Sequence, residues 1–295
     1  MARPMFIATL ITAPTGPALD PALAAALRNA WGGGDLRWLA PGQAVAFALP
    51  ARPADAPAVW ADLQAMGVDL VVQPAAGRRK AVLLADMDST MIGQECIDEL
   101  ADVAGVGERV AAITARAMNG QMDFESALDA RVALLEGLSE TVIAQVLATR
   151  ITPMPGGAAL VATMRAHGAH AALISGGFTA FTGPVAAALG FDEHRANTLL
   201  AQDGRLTGRV ARPILGGAAK LAALDDIVAR RGLTRADVIA VGDGMNDSAM
   251  LTHAGIGVAL HAKPALQALV DVQINHGDLT ALLYLQGYAQ SDFAA

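Results

Sequence analysis

Two aspartates separated by one residue, Asp86 and Asp88, close the apolar run LLAD in the stretch LLADMDSTMIG. Like charges at the end of a segment suited to the interior repel unless something of opposite sign joins them. Such a carboxylate pair can divide labour, one member attacking an electrophile and the other carrying a proton. Other chemistry-bearing groups follow in order: the Ser175 hydroxyl in SGGF, Lys220 in GGAAKLAALDDIV, and Asp243 and Asp247 in GDGMND. So many carboxylates in one place call for a cation, and hard oxygen ligands suit Mg²⁺. Lys220 stands in the first turn of a predicted helix and groups with Leu224 and Ile227 on its inward stripe. Taken alone, it reads equally well as a lysine running its stem along a core edge. Magnesium, lysine, hydroxyl and glycine amides together make a receptor for a phosphoryl group.

These groups must be positioned by elements far apart in the chain. From residue 81 onward, spaced apolar runs alternate with helical patterns, which predicts an α/β fold with a Rossmann-like, doubly wound parallel sheet. The predicted strands are 81–86, 170–175, 237–243 and 256–260, with a weaker one at 270–275. Three of them end at Asp86, Ser175 and Asp243, and ligands of open parallel sheets sit beyond the carboxyl ends of the strands. Between the first two strands, residues 91–153 read as an inserted helical cap, punctuated by Gly105, Gly107, Gly120 and Gly137, with Asp123 and Ser139 as capping candidates. Further on, LLAQDGRLTGRV predicts a β-hairpin turning at Asp203 and Gly204.

Residues 1–75 read as strand, helix, strand, strand, helix, strand, a small βαββαβ (ferredoxin-like) unit. Residues 76–80 read as a linker into a second unit at 81–295. Hydrophobic residues make up 54% of the chain and charged ones 17%, which argues for a well-buried protein and against disorder. A net charge of −7 gives no general attraction to nucleic acid or anionic membrane, so an anionic ligand must be held locally. The single cysteine, Cys96, excludes an internal disulfide framework and a Cys-based zinc site, reads as a small core residue, and is compatible with a reducing cytoplasm. Residues 1–13, with one Arg followed by FIATLITA, faintly imitate a signal peptide, but the apolar run is short, β-branched and followed by Pro14, which favours a first strand. Residues 167–191 carry no acidic or basic residue other than histidine, yet SGG and Pro184 break them up, so they do not span a bilayer. His167 and His170, with Gly168 between them and no acidic partner, read as surface residues.

The cap segment DFESALDARVALLEG holds an anomaly. At helical spacing Phe124, Ala127, Leu128 and Leu135 share one face with Arg131 at its centre, while Glu125, Asp129 and Glu136 point elsewhere. An arginine there either snorkels at the helix edge or meets an anionic ligand over an apolar contact, such as a carboxylate gripped at two points.

The ordered set DMDST, SGG, an isolated lysine and GDGMND resembles the haloacid dehalogenase superfamily of phosphotransferases across nearly all of residues 81–260. A lone D-x-D is weak, whereas four motifs in order are specific. The resemblance implies that Asp86 attacks phosphorus to form an aspartyl-phosphate, and that Asp88 protonates the leaving oxygen and then deprotonates the hydrolytic water. It implies Mg²⁺ bound by Asp86, Asp243 and the backbone carbonyl of Asp88, with Asp247 supporting the site. Ser175, Gly176 and Lys220 would hold phosphate oxygens, with Asn246 a contact near the phosphate.

The stretch MDFESALDARVALLEGL narrows the resemblance to the phosphoserine phosphatase family of that superfamily. This implies that Phe124 shapes the pocket, Arg131 meets the substrate carboxylate, and Glu95 in IGQECIDEL holds the substrate ammonium. Periodicity gives Glu95 no such support, since it groups with Asp98, Glu99 and Asp102 on a solvated face. The implied reaction is Mg²⁺-dependent hydrolysis of O-phospho-L-serine, the last step of serine biosynthesis. Met245 stands where many relatives have a small residue. The N-terminal unit resembles ACT-type regulatory domains in element order alone, so an amino-acid effector and a homodimer stand open beside a purely structural role. A phosphotransferase passing the group to another hydroxyl, such as that of homoserine, is the alternative within the enzyme class. A non-catalytic amino-acid sensor would have no use for both Asp86 and Asp88.

Overall fold

The computed structural model describes residues 5–294, so of the signal-like stretch the first four residues lie outside what is described. The N-terminal alternation folds into β1 (Phe6–Thr12), α1 (Pro21–Ala30), β2 (Arg37–Ala40), β3 (Ala44–Leu49), α2 (Ala56–Ala65) and β4 (Val68–Pro74). The Asp20 side chain caps α1 and Pro21 occupies its first turn, where no intrahelical donor is needed. The four strands form an antiparallel sheet in the order β2-β3-β1-β4, the ferredoxin-like arrangement. Leu10, Phe47 and Leu70 face the two helices, whereas Ile11, Ala44 and Val71 join the main core beside Tyr284 and Leu285. This sheet is therefore buried on both faces.

The predicted linker is anchored at every basic residue. Arg78 donates to the carbonyls of Leu285 (2.9 Å) and Tyr284 (3.2 Å), Arg79 stacks 4.1 Å from the Tyr288 ring centroid, and Lys80 Nζ reaches the Ala236 carbonyl at 2.7 Å.

The second sheet contains β5 (Val82–Ala85), β6 (His170–Phe178), β7 (Glu193–Asn197), β10 (Val238–Gly242), β11 (Ile256–Leu260) and β12 (Val272–Ile274). All are parallel, in the order β12-β11-β10-β5-β6-β7. The chain runs outward from β5 to β7 and then restarts at β10 on the other side of β5, so the end of β5 lies at a topological switch point. β7 has no strand signature: EHRAN is polar because it is an edge strand whose charges pair outward, Arg195 with Asp226 and Glu193 with Arg230. The same strand corrects the expectation for His170, whose ring nitrogens lie 3.5 Å from Asp192 and 3.4 Å from Glu193.

Five helices stand between β5 and β6: α3 (Cys96–Val103), α4 (Gly107–Met118), α5 (Phe124–Ala133) and α6 (Thr141–Thr149) of the insert, and α7 (Gly157–Ala166), which leads back into the sheet. Asp123 caps α5 through the Ser126 amide at 2.9 Å, whereas the cap position of α6 is Glu140 and Ser139 reaches in from one residue earlier. α5 ends at Ala133, so Leu135 is buried beyond the helix and not on its face. The hairpin of β8 (Leu199–Gln202) and β9 (Arg205–Val210) turns through Asp203 (φ 53°) and Gly204 (φ 73°) and braces this insert. The Gly137 N–H donates to the Leu206 carbonyl at 2.8 Å, the Leu206 N–H donates to the Leu138 carbonyl at 2.8 Å, and Arg212 pairs with Asp129 of α5. After β6 and α8 (Thr179–Leu189), and after the hairpin, the 15-residue helix Gly217–Arg231 returns the chain to the sheet. No helix among the described residues is long and apolar enough to cross a membrane.

Candidate functional site

The sheet ladder carries the backbone to the first aspartate, since the Asp86 amide donates to Val241 of β10 at 3.0 Å. Its Oδ1 accepts the Met87 N–H at 2.8 Å and lies 2.6 Å from Lys220 Nζ, while Oδ2 accepts no hydrogen bond among the described residues. Asp88 is tied differently. Its Oδ1 accepts the N–H of Cys96, the first residue of α3, at 2.8 Å, and its Oδ2 accepts from the Ser175 hydroxyl at 3.1 Å. Ser175 Oγ in turn accepts the Gly177 N–H at 2.8 Å. The strand ends of β5 and β6 are thus joined through the second aspartate.

Lys220 is completely buried, with Nζ 2.6 Å from Asp86 Oδ1 and 2.6 Å from Asp247 Oδ1. Asp247 is steadied by the Gly244 N–H at 3.2 Å, and Asp243 Oδ2 lies 3.8 Å from Lys263 Nζ. Asp86, Asp243 and Asp247 each offer an oxygen within 4.8 Å of the others. Three buried carboxylates face one buried ammonium, so the cluster carries excess negative charge on hard oxygen donors, the chemistry that fits a small divalent cation.

The electrostatics follow from that crowding. Burial raises the Asp86 pKa well above the usual carboxylate range and the Asp247 charge adds to it, with Lys220 opposing. Asp88 is raised by burial and then by Glu95, while the Cys96 N–H and Ser175 hydroxyl hold it back. Asp243 is pushed up to about 6, chiefly by burial, with Lys263 opposing and Asp247 adding. Burial alone would lower Lys220, but Asp86 and Asp247 outweigh it and keep the ammonium charged.

A cavity of about 600 Å³ opens over these groups. Asp86, Asp88, Asp243, Ser175, Gly176 and Asn246 line it from the sheet side, and Glu95, Phe124 and Arg131 from the helical insert. Lys220 and Asp247 do not line it; they reach it through Asp86. Arg131 is half-buried, with Nε donating to Ala127 at 3.2 Å and Nη1 reaching Thr114 Oγ1 at 3.5 Å; no carboxylate lies within ion-pair distance of it among the described residues. Burial lowers its pKa against the pull of Asp98 and Glu95. Glu95, bonded to the Ser89 hydroxyl at 2.8 Å, is exposed into this cavity, so the face read as solvated is in part the cavity wall.

The family model for haloacid dehalogenase-like hydrolase matches residues 83–252. The chain belongs to the haloacid dehalogenase-like hydrolases. Among relatives of this hydrolase, a "Phosphoserine phosphatase" of Streptomyces coelicolor is 41% identical over 241 residues, 81% of this chain and 58% of that protein. A "Phosphoserine phosphatase" of Albidiferax ferrireducens is 46% identical over 205 residues, 68% of this chain and 86% of that one. The crystal structure of a probable phosphoserine phosphatase from Vibrio cholerae aligns over 98% of this chain and 88% of its own, with a TM-score of 0.78 and 30% identity. The match thus spans under two thirds of the Streptomyces protein's length.

Four residues of the hydrolase escape a reading of its sequence. Asp98 lines the cavity one helical turn beyond Glu95, and its stripe of acidic residues is the only signal that could have found it. Thr114 and Lys263 also line it, the latter beside Asp243. Asn197, at the end of the unrecognised β7, bonds the backbone on either side of the phosphate-type motifs.

Proposed function

We propose that this hydrolase is a phosphoserine phosphatase, cleaving O-phospho-L-serine to L-serine and phosphate. The observation that carries the reading is one cavity holding the Asp86–Asp88 pair and, opposite in origin, an arginine with no carboxylate at ion-pair distance among the described residues. Relatives at 41% and 46% identity bearing that name support the choice of substrate.

In this reading the free Oδ2 of Asp86 attacks phosphorus, the bond from phosphorus to the serine oxygen breaks, and Asp88 gives its proton to that oxygen. Burial and Glu95 favour the protonated Asp88 that this step needs. Asp88 then takes a proton from water as the water oxygen bonds phosphorus, and the Asp86–phosphorus bond breaks to release phosphate. Lys220 holds Asp86 in place and adds its charge from behind that side chain, while Ser175, Gly176 and Asn246, which line the cavity, would offset charge on the phosphoryl oxygens directly. Arg131 grips the substrate carboxylate, Glu95 its ammonium, and Phe124 closes the pocket beside them. Asp86, Asp243 and the Asp88 carbonyl, supported by Asp247, would hold Mg²⁺. That ion would supply positive charge where three carboxylates and a phosphate meet.

The same reading divides the chain at residues 76–80, assigns the protein to the cytoplasm, and takes residues 1–75 as the unit at which an amino-acid effector or a second copy would act. Phosphate release with Mg²⁺ across phosphoserine, phosphothreonine, homoserine phosphate and sugar phosphates tests the function. Preference for phosphoserine supports it; no turnover of phosphoserine, or equal turnover of all, overturns it.

A further inference from the structure

Strands β6 and β7 pair in register from Ala172 to Ile174, lose register, and pair again at Phe178 and Asn197. The interruption frees the backbone of Ser175, Gly176 and Gly177 from the ladder and turns it toward the cavity. A released carbonyl at this depth needs a partner. The Gly176 carbonyl finds it in Asn197, whose Nδ2 lies 2.8 Å away. The same Nδ2 donates to the Leu215 carbonyl at 3.1 Å, and Asn197 Oδ1 accepts the Leu215 N–H at 2.7 Å. Asn197 is 3% exposed, and both its amide hydrogens and its oxygen are engaged by backbone.

The two segments so joined are the ones that frame the reaction. Leu215 immediately precedes Gly216, the N-cap of the helix that carries Lys220, and the Lys220 amide bonds the Gly216 carbonyl at 3.2 Å. Gly176 and Gly216 also form a slot for the cap. A Cβ at Gly176 would stand 3.2 Å from Phe124 Cζ, and one at Gly216 would stand 3.1 Å from Phe124 Cδ1. A side chain at either position would press on the Phe124 ring, which would have to give by a few tenths of an ångström, and the width of the slot follows the spacing of the two segments that the Asn197 amide joins.

We propose that Asn197 is a positioning residue for the reaction: its side-chain amide fixes the Ser175–Gly176 turn against the start of the Lys220 helix and thereby sets the slot that seats Phe124. This rests on the phosphatase reading for its catalytic consequence, but not for its structural one. Displacing the turn from the nucleophile by a fraction of an ångström reduces the attack step more than substrate affinity.

The test uses the full chain with Asn197→Ala and Asn197→Asp, the second keeping the acceptor for Leu215 should the first fail to fold. Amide hydrogen exchange should show lost protection at residues 174–178 and 213–220, with β10 and β11 unchanged. At a temperature where each variant is fully folded, kcat for phosphoserine should fall by roughly tenfold to a hundredfold, with KM changing by less than about threefold. Wild-type kcat with only a lower melting temperature would make the residue merely structural and overturn the proposal. Unchanged exchange at 213–220 would overturn the clamp itself. Should the wild type not hydrolyse phosphoserine, the phosphatase reading falls, and the exchange measurement still decides whether Asn197 clamps the two segments.

Discussion

The Lys220 ammonium lies 2.6 Å from Asp86 Oδ1, and both side chains are buried, so the nucleophile candidate is half of an ion pair inside the protein. The same ammonium is shared with Asp247 at the same distance. One cation thus orders two carboxylates and leaves Asp86 Oδ2 as the free oxygen. Lys220→Met should strand two like charges together and destabilise the metal-free protein by roughly 3–5 kcal/mol at neutral pH. Urea unfolding with a divalent-cation chelator present measures this; an unchanged midpoint would mean that the pair is dispensable for stability. Asp86→Asn should abolish phosphate release.

The raised pKa of Asp243 gives stability a defined pH dependence. Its folded value of about 6 exceeds the ordinary carboxylate value, so the native state binds more protons than the unfolded state between about pH 4 and 6. Asp243 alone therefore lowers the stability of the metal-free protein as pH rises through that window, on the order of 3 kcal/mol. A divalent cation held by the ionised carboxylates would offset the loss. Thermal melts with and without Mg²⁺ should show a larger Mg²⁺-induced rise near about pH 7.5 than near about pH 5. Equal rises at both would remove Asp243 from the cation site.

Among the described residues, Arg131 hydrogen-bonds only the Ala127 carbonyl and Thr114 Oγ1. Removing it should therefore cost little stability but much recognition of a substrate carboxylate. Arg131→Ala should raise KM for phosphoserine by roughly tenfold to a hundredfold, the value of a charge-assisted hydrogen-bond pair, and spare an aryl phosphate. Equal losses on both substrates would assign Arg131 to the phosphate.

The legible part of the site is the part written in side-chain type at strand ends. Asp86, Ser175 and Asp243 close apolar runs, and a parallel sheet brings such ends together whatever lies between. Glu95 was not legible from spacing, because a cavity wall and a solvated surface have the same polar pattern. Nor was β7, whose EHRAN composition reflects outward ion pairs at a sheet edge and not a buried face. Asn197 carries no pattern at all; its three hydrogen bonds depend on where Gly176 and Leu215 come to rest. Asp69 was hidden for a related reason: in VDLVVQP an alternating polar residue reads as facing water.

Asp69 in fact has no exposure, and its carboxylate accepts the backbone N–H groups of Asn275 (2.9 Å), His276 (3.0 Å) and Gly277 (2.8 Å), far along the chain. Asn275 returns the contact through Nδ2 to Gln64 Oε1 at 2.8 Å. This charge on β4 thus fastens the N-terminal sheet to the loop that follows β12. Asp69→Ala would leave three amides without a partner at a buried junction, each costing about 1–3 kcal/mol. The expected loss is roughly 3–5 kcal/mol, with some relief where water enters the space left behind. Asp69→Asn preserves the shape but turns an NH₂ toward one pair of donors, so it should retain only part of the stability. Urea unfolding followed by far-ultraviolet circular dichroism should rank the proteins wild type, Asn, Ala. A wild-type midpoint for the alanine variant would show that the two sheets are held together by their apolar faces alone.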